Sequence, residues 1–177
     1  YDVHSDYRPR PAMALRFGAD PNDMEPGNTR YLIDRRESSD IPARDQEQMK
    51  RLYDAEVRQL DDLLRILFDS LKARGLWDDT LIVVTADHGE EFLEHGGLLH
   101  GRTLYEELVH VPLILHGPGV PRGRVISHVV SLVDLMPTTL DAVGAPPRDG
   151  LDGRSLLPLL TGADPDWVER AASEADQ

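Results

Sequence analysis

The run Leu81-Ile-Val-Val-Thr-Ala-Asp87-His88-Gly89 constrains this chain more than any other segment. Its apolar part is short and rich in β-branched residues, so it reads as a buried strand of an α/β sheet. Open α/β sheets carry their chemistry at the carboxyl ends of their strands. Asp87 and His88 stand at such an end. A carboxylate oxygen beside an imidazole nitrogen suits a borderline or hard divalent cation. Gly89 lets the backbone turn directly after the pair. Glu90, Glu91 and Glu94 follow and read as a solvated acidic face, His95 comes next, and Leu99-His100-Gly101 brings a third His thirteen positions after Asp87.

The flanking segments supply the rest of an α/β pattern. Met49, Leu52, Tyr53, Val57, Leu60, Leu64, Leu67, Phe68 and Leu71 recur at three and four, which predicts an amphipathic helix over Asp45–Arg74 that covers a sheet face. Lys72 and Arg74 suit its C-terminus, and Gly75 is a plausible residue just past it. Helix then strand is half a βαβ crossover. Upstream, Tyr1–Pro11 reads as a strand end entering a loop. Residues 10–44 hold Pro11, Pro21, Pro26, Pro42, Gly18 and Gly27 with no surviving period, so a long surface loop is expected, a candidate lid or a mobile connector. Downstream, the pattern predicts a short helix at Thr103–Val109 and strands at Val111–His116 and Val125–Val130. It then predicts a helix over Leu132–Val143, capped by Ser131, restarted or kinked at Pro137 and ended by Gly144, and a short helix at Ser155–Leu160. One domain is expected over residues 1–163, with a frayed tail over 164–177.

Composition narrows the partners. The 177 residues allow a single domain with a real core, and no apolar run approaches a membrane span. A net charge of −13 disfavours nucleic acid as a partner. It also requires a cation or local Arg and Lys wherever an anionic substrate is to bind. The absence of Cys excludes disulfides and thiolate zinc sites in these residues.

Taken together, the motifs resemble the sulfatase family of the alkaline phosphatase superfamily. The likeness is carried by Asp2-Val3-His4-Ser5-Asp6-Tyr7-Arg8-Pro9, Tyr53-Asp54-Ala55-Glu56-Val57, Thr80–Gly89, Leu99–Glu107 and Val111-Pro112-Leu113-Ile114. It continues through Val133-Asp134-Leu135-Met136-Pro137-Thr138 and Asp152-Gly153-Arg154-Ser155-Leu156-Leu157-Pro158. The resemblance implies part of a three-layer α/β/α sandwich. The family's nucleophile block, Cys- or Ser-x-Pro-x-Arg, has no counterpart here, nor do its paired N-terminal aspartates. The chain is therefore expected to be the C-terminal part of a catalytic domain, partnered by the N-terminal remainder and inactive alone.

The resemblance also implies roles. Asp87 and His88 would hold one divalent cation, calcium or zinc or manganese, with a second metal compatible with the same chemistry. His100 and His4 would contact the transferred group or leaving oxygen as neutral or charged imidazoles. Arg102 would bind the tetrahedral oxyanion of a small-molecule, glycan or lipid ester. His110 is expected to pack, Glu106 and Glu107 to cap or brace their loop, and His95, His116 and His128 carry no assigned role. The function implied is sulfuric ester hydrolysis. Phosphoryl chemistry of the same superfamily (phosphatase, phosphodiesterase or phosphoethanolamine-type transferase) is one alternative, and a non-catalytic α/β fragment is another.

Overall fold

The computed structural model describes residues 3–163 except 37 and 39, together with Trp167 and Val168. In chain order the helices are α1 (Pro11–Arg16), α2 (Thr29–Arg35), α3 (Ala43–Ala73), α4 (Glu106–Val109), α5 (Leu135–Ala142) and α6 (Leu157–Thr161). The strands are β1 (Ile82–Thr85), β2 (Glu91–Phe92), β3 (Leu98–Leu99) and β4 (Leu113–His116). Contacts divide these elements into two compact units, Tyr1–Ala73 with Glu90–Thr103, and Arg74–Gly89 with Leu104–Gln177.

The first unit is organised on α3, the helix that the three-and-four spacing predicts. Met49, Leu52 and Ala55 of its N-terminal half are buried, whereas Ile66 and Leu67 of its C-terminal half are exposed. Tyr7, Ala14, Leu32 and Leu98 complete the core around Met49 and Leu52. The segment expected as a structureless loop is instead built of α1, a 3-10 turn at Glu25–Gly27 and α2. Pro11 starts α1 with its φ already set. The Asn28 side chain caps α2 by accepting the Arg30 N–H at 2.9 Å. These helices are too short to display a period, yet Ala14, Ala19, Tyr31, Leu32 and Ile41 are all buried. Buried Gln48 satisfies the chain between them: it accepts from Asp20 N at 3.0 Å and donates to the carbonyls of Asp20 and Asp23 at 2.9 and 2.7 Å. The entry segment, expected as a strand end, contains no strand over residues 3–10.

In the second unit β1 pairs antiparallel with β4, Ile82 opposite His116 and Thr85 opposite Leu113. Both strands fall where the apolar runs place them, but β1 is half-buried rather than buried. Its described partner is antiparallel, so the parallel neighbour of a βαβ unit is not among the described strands. Val125–Val130 forms no strand. Ile126 and Val130 pack instead against a cluster of Leu156, Leu159 and Trp167, while Val125 points to solvent. The expected frayed tail lies outside the described residues except for Trp167, which is buried beneath the Arg154 guanidinium, and Val168.

The two late sequence blocks meet here, and their chemistry is structural. A 3-10 turn at Leu132–Asp134 leads into α5, and Ser131 with Asp134 forms a reciprocal capping box. Asp134 accepts the Ser131 N–H on one oxygen and the Arg154 N–H on the other, both at 2.9 Å. Thr138 Oγ1 accepts from Leu156 N at 2.9 Å and donates to the Asp134 carbonyl at 2.5 Å. A Cβ on Gly153 would lie 2.1 Å from the Val133 carbonyl oxygen, so only glycine fits. Asp134→Ala, which strands two backbone donors, is expected to lower the unfolding free energy by roughly 2–4 kcal/mol in urea denaturation. Gly153→Ala should cost about 1–3 kcal/mol through overpacking. Wild-type urea midpoints for both variants would contradict this bracket.

Candidate metal and ester site

Asp87 and His88 leave β1 at its C-terminal end, as a strand of this kind requires. Gly89 is needed for close approach rather than for a turn: a Cβ there would lie 1.9 Å from the Glu107 carbonyl oxygen, and its N–H donates to Leu108 O at 2.8 Å. The His88 N–H donates to Asp87 Oδ1 at 3.1 Å. His88 Nδ1 lies 2.7 Å from the Gly89 carbonyl oxygen. A carbonyl only accepts, so Nδ1 carries the proton and the lone pair of the neutral ring falls on Nε2. Nε2 stands 3.7 Å from Asp87 Oδ1. That spacing lets both atoms reach one cation at ligand distances of about 2.0–2.6 Å. The Asp87 side chain is 79% exposed, so its carboxylate is presented rather than consumed by the fold. The donor set therefore fits a divalent cation.

The first unit holds the other group of polar residues, on the short hairpin β2–β3. Glu91 pairs with Leu99 and Phe92 with Leu98. The acidic residues ahead of the hairpin turn are not a solvated face. Glu91 is buried, and its Oε1 accepts from the N–H groups of His95 at 3.2 Å and Gly97 at 2.8 Å. The turn thus closes on a carboxylate, and Gly97 leaves it room, since a Cβ there would meet Glu91 Oε2 at 2.9 Å. Glu94 is half-exposed and 3.8 Å from Lys50.

Glu90 holds the centre of this unit's polar network. Its side chain is 6% exposed. Oε2 accepts the Tyr7 hydroxyl at 2.6 Å, and Oε1 lies 2.9 Å from His100 Nδ1. Tyr7 is fully buried, edge-on to Tyr53 with ring centres 5.4 Å apart and 5.9 Å from Phe92. Burial first, and then the Glu90 charge, push the Tyr7 hydroxyl far above the ordinary tyrosine range. Tyr53 is raised for the same two reasons. The His4 and His100 rings meet edge to face with centres 5.3 Å apart, so residues ninety-six positions apart in the sequence are brought together. His4 Nδ1 lies 2.8 Å from the Ser5 carbonyl oxygen, which again places the proton on Nδ1. Arg102 belongs to the same unit and is exposed. Leu99, just before His100, sits in the left-handed region at φ 69°, a strain of order 1 kcal/mol for a side chain of its kind.

Two of the remaining histidines, His110 and His116, contact other side chains. His110, expected to pack, is exposed and pairs with Glu106 at 2.9 Å one helical turn away. His116 stacks on Trp77 with ring centres 4.1 Å apart. Sequence reasoning missed Glu90 and Tyr7. The available signal was Tyr7 itself: once an aromatic in a polar block is buried, its hydroxyl needs an acceptor.

A pH test follows from Tyr7. Its raised native pKa means that the stability held by the neutral hydroxyl is complete below the unfolded-state value of about 10 and is lost as pH rises towards the native one. Urea unfolding from pH 8 to 11 should show Tyr7→Phe with a shallower alkaline loss than wild type, and parallel curves would contradict it.

Residues 3–145 match the Sulfatase family. Arylsulfatase K of Canis lupus familiaris is 39% identical over 111 residues, 63% of this chain and 21% of the relative. The multifunctional alkaline phosphatase superfamily protein PehA of Trinickia caryophylli is 38% identical over 133 residues, 73% of this chain and 26% of the relative. The solved phosphonate monoester hydrolase SpPMH from Silicibacter pomeroyi superposes with a TM-score of 0.69 at 32% identity, covering 95% of this chain and 32% of that one. The chain thus spans about a fifth to a third of the length of these relatives. Its mixed α/β architecture accords with the α/β/α sandwich of that fold. The chain belongs to the sulfatase family of the alkaline phosphatase superfamily.

Proposed function

We propose that this chain supplies the cation-binding and leaving-group residues of a metal-dependent sulfuric ester hydrolase, with the nucleophile on a segment outside these 177 residues. The observation that carries the reading is the Asp87–His88 pair. Two ligand-type atoms stand 3.7 Å apart at a strand end, with the His88 proton fixed on the far nitrogen. Asp87 and His88 would hold the divalent cation, calcium or zinc or manganese. When bound, such a cation draws electron density from the sulfuryl or phosphoryl oxygen and stabilises the charge that develops there.

The chain's own residues do the rest. His100 and His4 each keep a proton on Nδ1, so Nε2 is the atom that can carry a second proton and deliver it to the leaving oxygen. Arg102 contributes a guanidinium that pairs with a tetrahedral oxyanion through two hydrogen bonds. The substrate class is a sulfate ester of a small molecule, glycan or lipid. Nucleic acid is disfavoured by the charge of −13. No helix among the described residues is long and apolar enough to cross a membrane.

Phosphoryl or phosphonyl transfer is the second reading. It is favoured by His88, where many sulfatases carry Asn, and by the 32% identity to a phosphonate monoester hydrolase over 95% of this chain. Turnover of 4-nitrophenyl sulfate, phosphate and phenylphosphonate by the whole enzyme separates the two. The expected result is chelator-sensitive turnover with the sulfate ester preferred, and a fall in kcat/KM of about 100-fold or more in Asp87→Ala and in His88→Ala. Preference for the phosphorus esters would favour the second reading. Chelator-resistant turnover, or wild-type rates in both variants, would overturn both.

A further inference from the structure

Three observations converge on Glu90. It is a carboxylate with a 6% exposed side chain. Its two oxygens are assigned to two different side chains, Tyr7 Oη at 2.6 Å and His100 Nδ1 at 2.9 Å. Its Tyr7 partner is itself fixed by complete burial in the core of the first unit. An ionised carboxylate only accepts, and the Tyr7 hydroxyl is held neutral and donates. The His100 bond therefore requires a proton on Nδ1.

We propose that Glu90 is a positioning residue for His100: its carboxylate, braced by Tyr7, fixes the Nδ1–H tautomer and directs the Nε2 lone pair away from the core. Histidine in water favours the opposite tautomer, with its proton on Nε2. An imidazole left to itself would thus present an N–H where an acceptor or proton carrier is needed. Glu90 reverses that preference through a charge-assisted hydrogen bond, and Tyr7 fixes the carboxylate so that its second oxygen stays on the ring. The device differs from the one at His4 and His88, where backbone carbonyls hold Nδ1. At His100 an ionisable side chain does so. Its importance for turnover rests on the role proposed above for His100, but the tautomer itself does not.

The test is nitrogen-15 NMR of the imidazoles in the full chain, at a pH where His100 is neutral, with His100→Gln assigning the signals. In wild type, Nδ1 should show the protonated, pyrrole-like signature and Nε2 the bare, pyridine-like one. Tyr7→Phe should keep that order. Glu90→Met should exchange it, and Glu90→Met combined with Tyr7→Phe, which leaves no buried hydroxyl stranded, should exchange it in a folded background. A wild-type His100 protonated at Nε2, or an unchanged Nδ1–H tautomer in the double variant, would overturn the proposal. This readout needs no turnover, so a failed ester assay with the expected tautomer would refute the functional role of His100 and leave the Glu90 assignment standing.

Discussion

The buried carboxylate of Glu90 is the interaction on which the first unit depends. Taking an ionised carboxylate out of water costs several kcal/mol unless its oxygens are bonded. Here both are, one by a phenol and one by an imidazole. Tyr7 faces the same requirement from the other side: its ring fills the core, and its hydroxyl has to find an acceptor there. Neither group is tolerable without its partner. The pair therefore ties the entry segment, the β2–β3 hairpin and the core on α3 into one construction, and His100 inherits its orientation from that construction.

The second unit solves a different problem, which is how to hold two ligand-type side chains side by side without collapsing them. Backbone does most of this. Gly89 lies so close to the chain at Glu107 that no side chain fits, and the Gly89 carbonyl holds the His88 ring by Nδ1. The exposed Asp87 carboxylate and the His88 Nε2 are left side by side. Asp134 does comparable work further along. It satisfies the N–H groups of Ser131 and Arg154 and so joins two blocks that look like functional motifs but act as a bracket. Asp134 and Gly153 belong to motif-like blocks, yet what they do here is structural.

What could be read in advance follows from the range of the forces involved. Helix α3 was legible because its apolar residues repeat over many turns. Strands β1 and β4, the Ser131 cap and the glycines after α3 and α5 were legible because their signals are local. Helices α1 and α2 were not, since six or seven residues show no period and their burial depends on α3. Val125–Val130 has strand composition, but no neighbouring strand takes it up. Asp87, His88, His4 and His100 could be named from their motifs. Glu90 could not be told from Glu94, because the difference lies in a contact with Tyr7 across eighty-three positions.

Tyr7 and Glu90 stabilise the first unit as a pair rather than as two separate buried groups. The most direct measurement is a double-mutant cycle on the unfolding free energy with Tyr7→Phe, Glu90→Met and the combination. A coupling of about 1–3 kcal/mol is expected, with the double variant less destabilised than the sum of the singles because no polar group is left stranded. Additivity to within about 0.5 kcal/mol would contradict it.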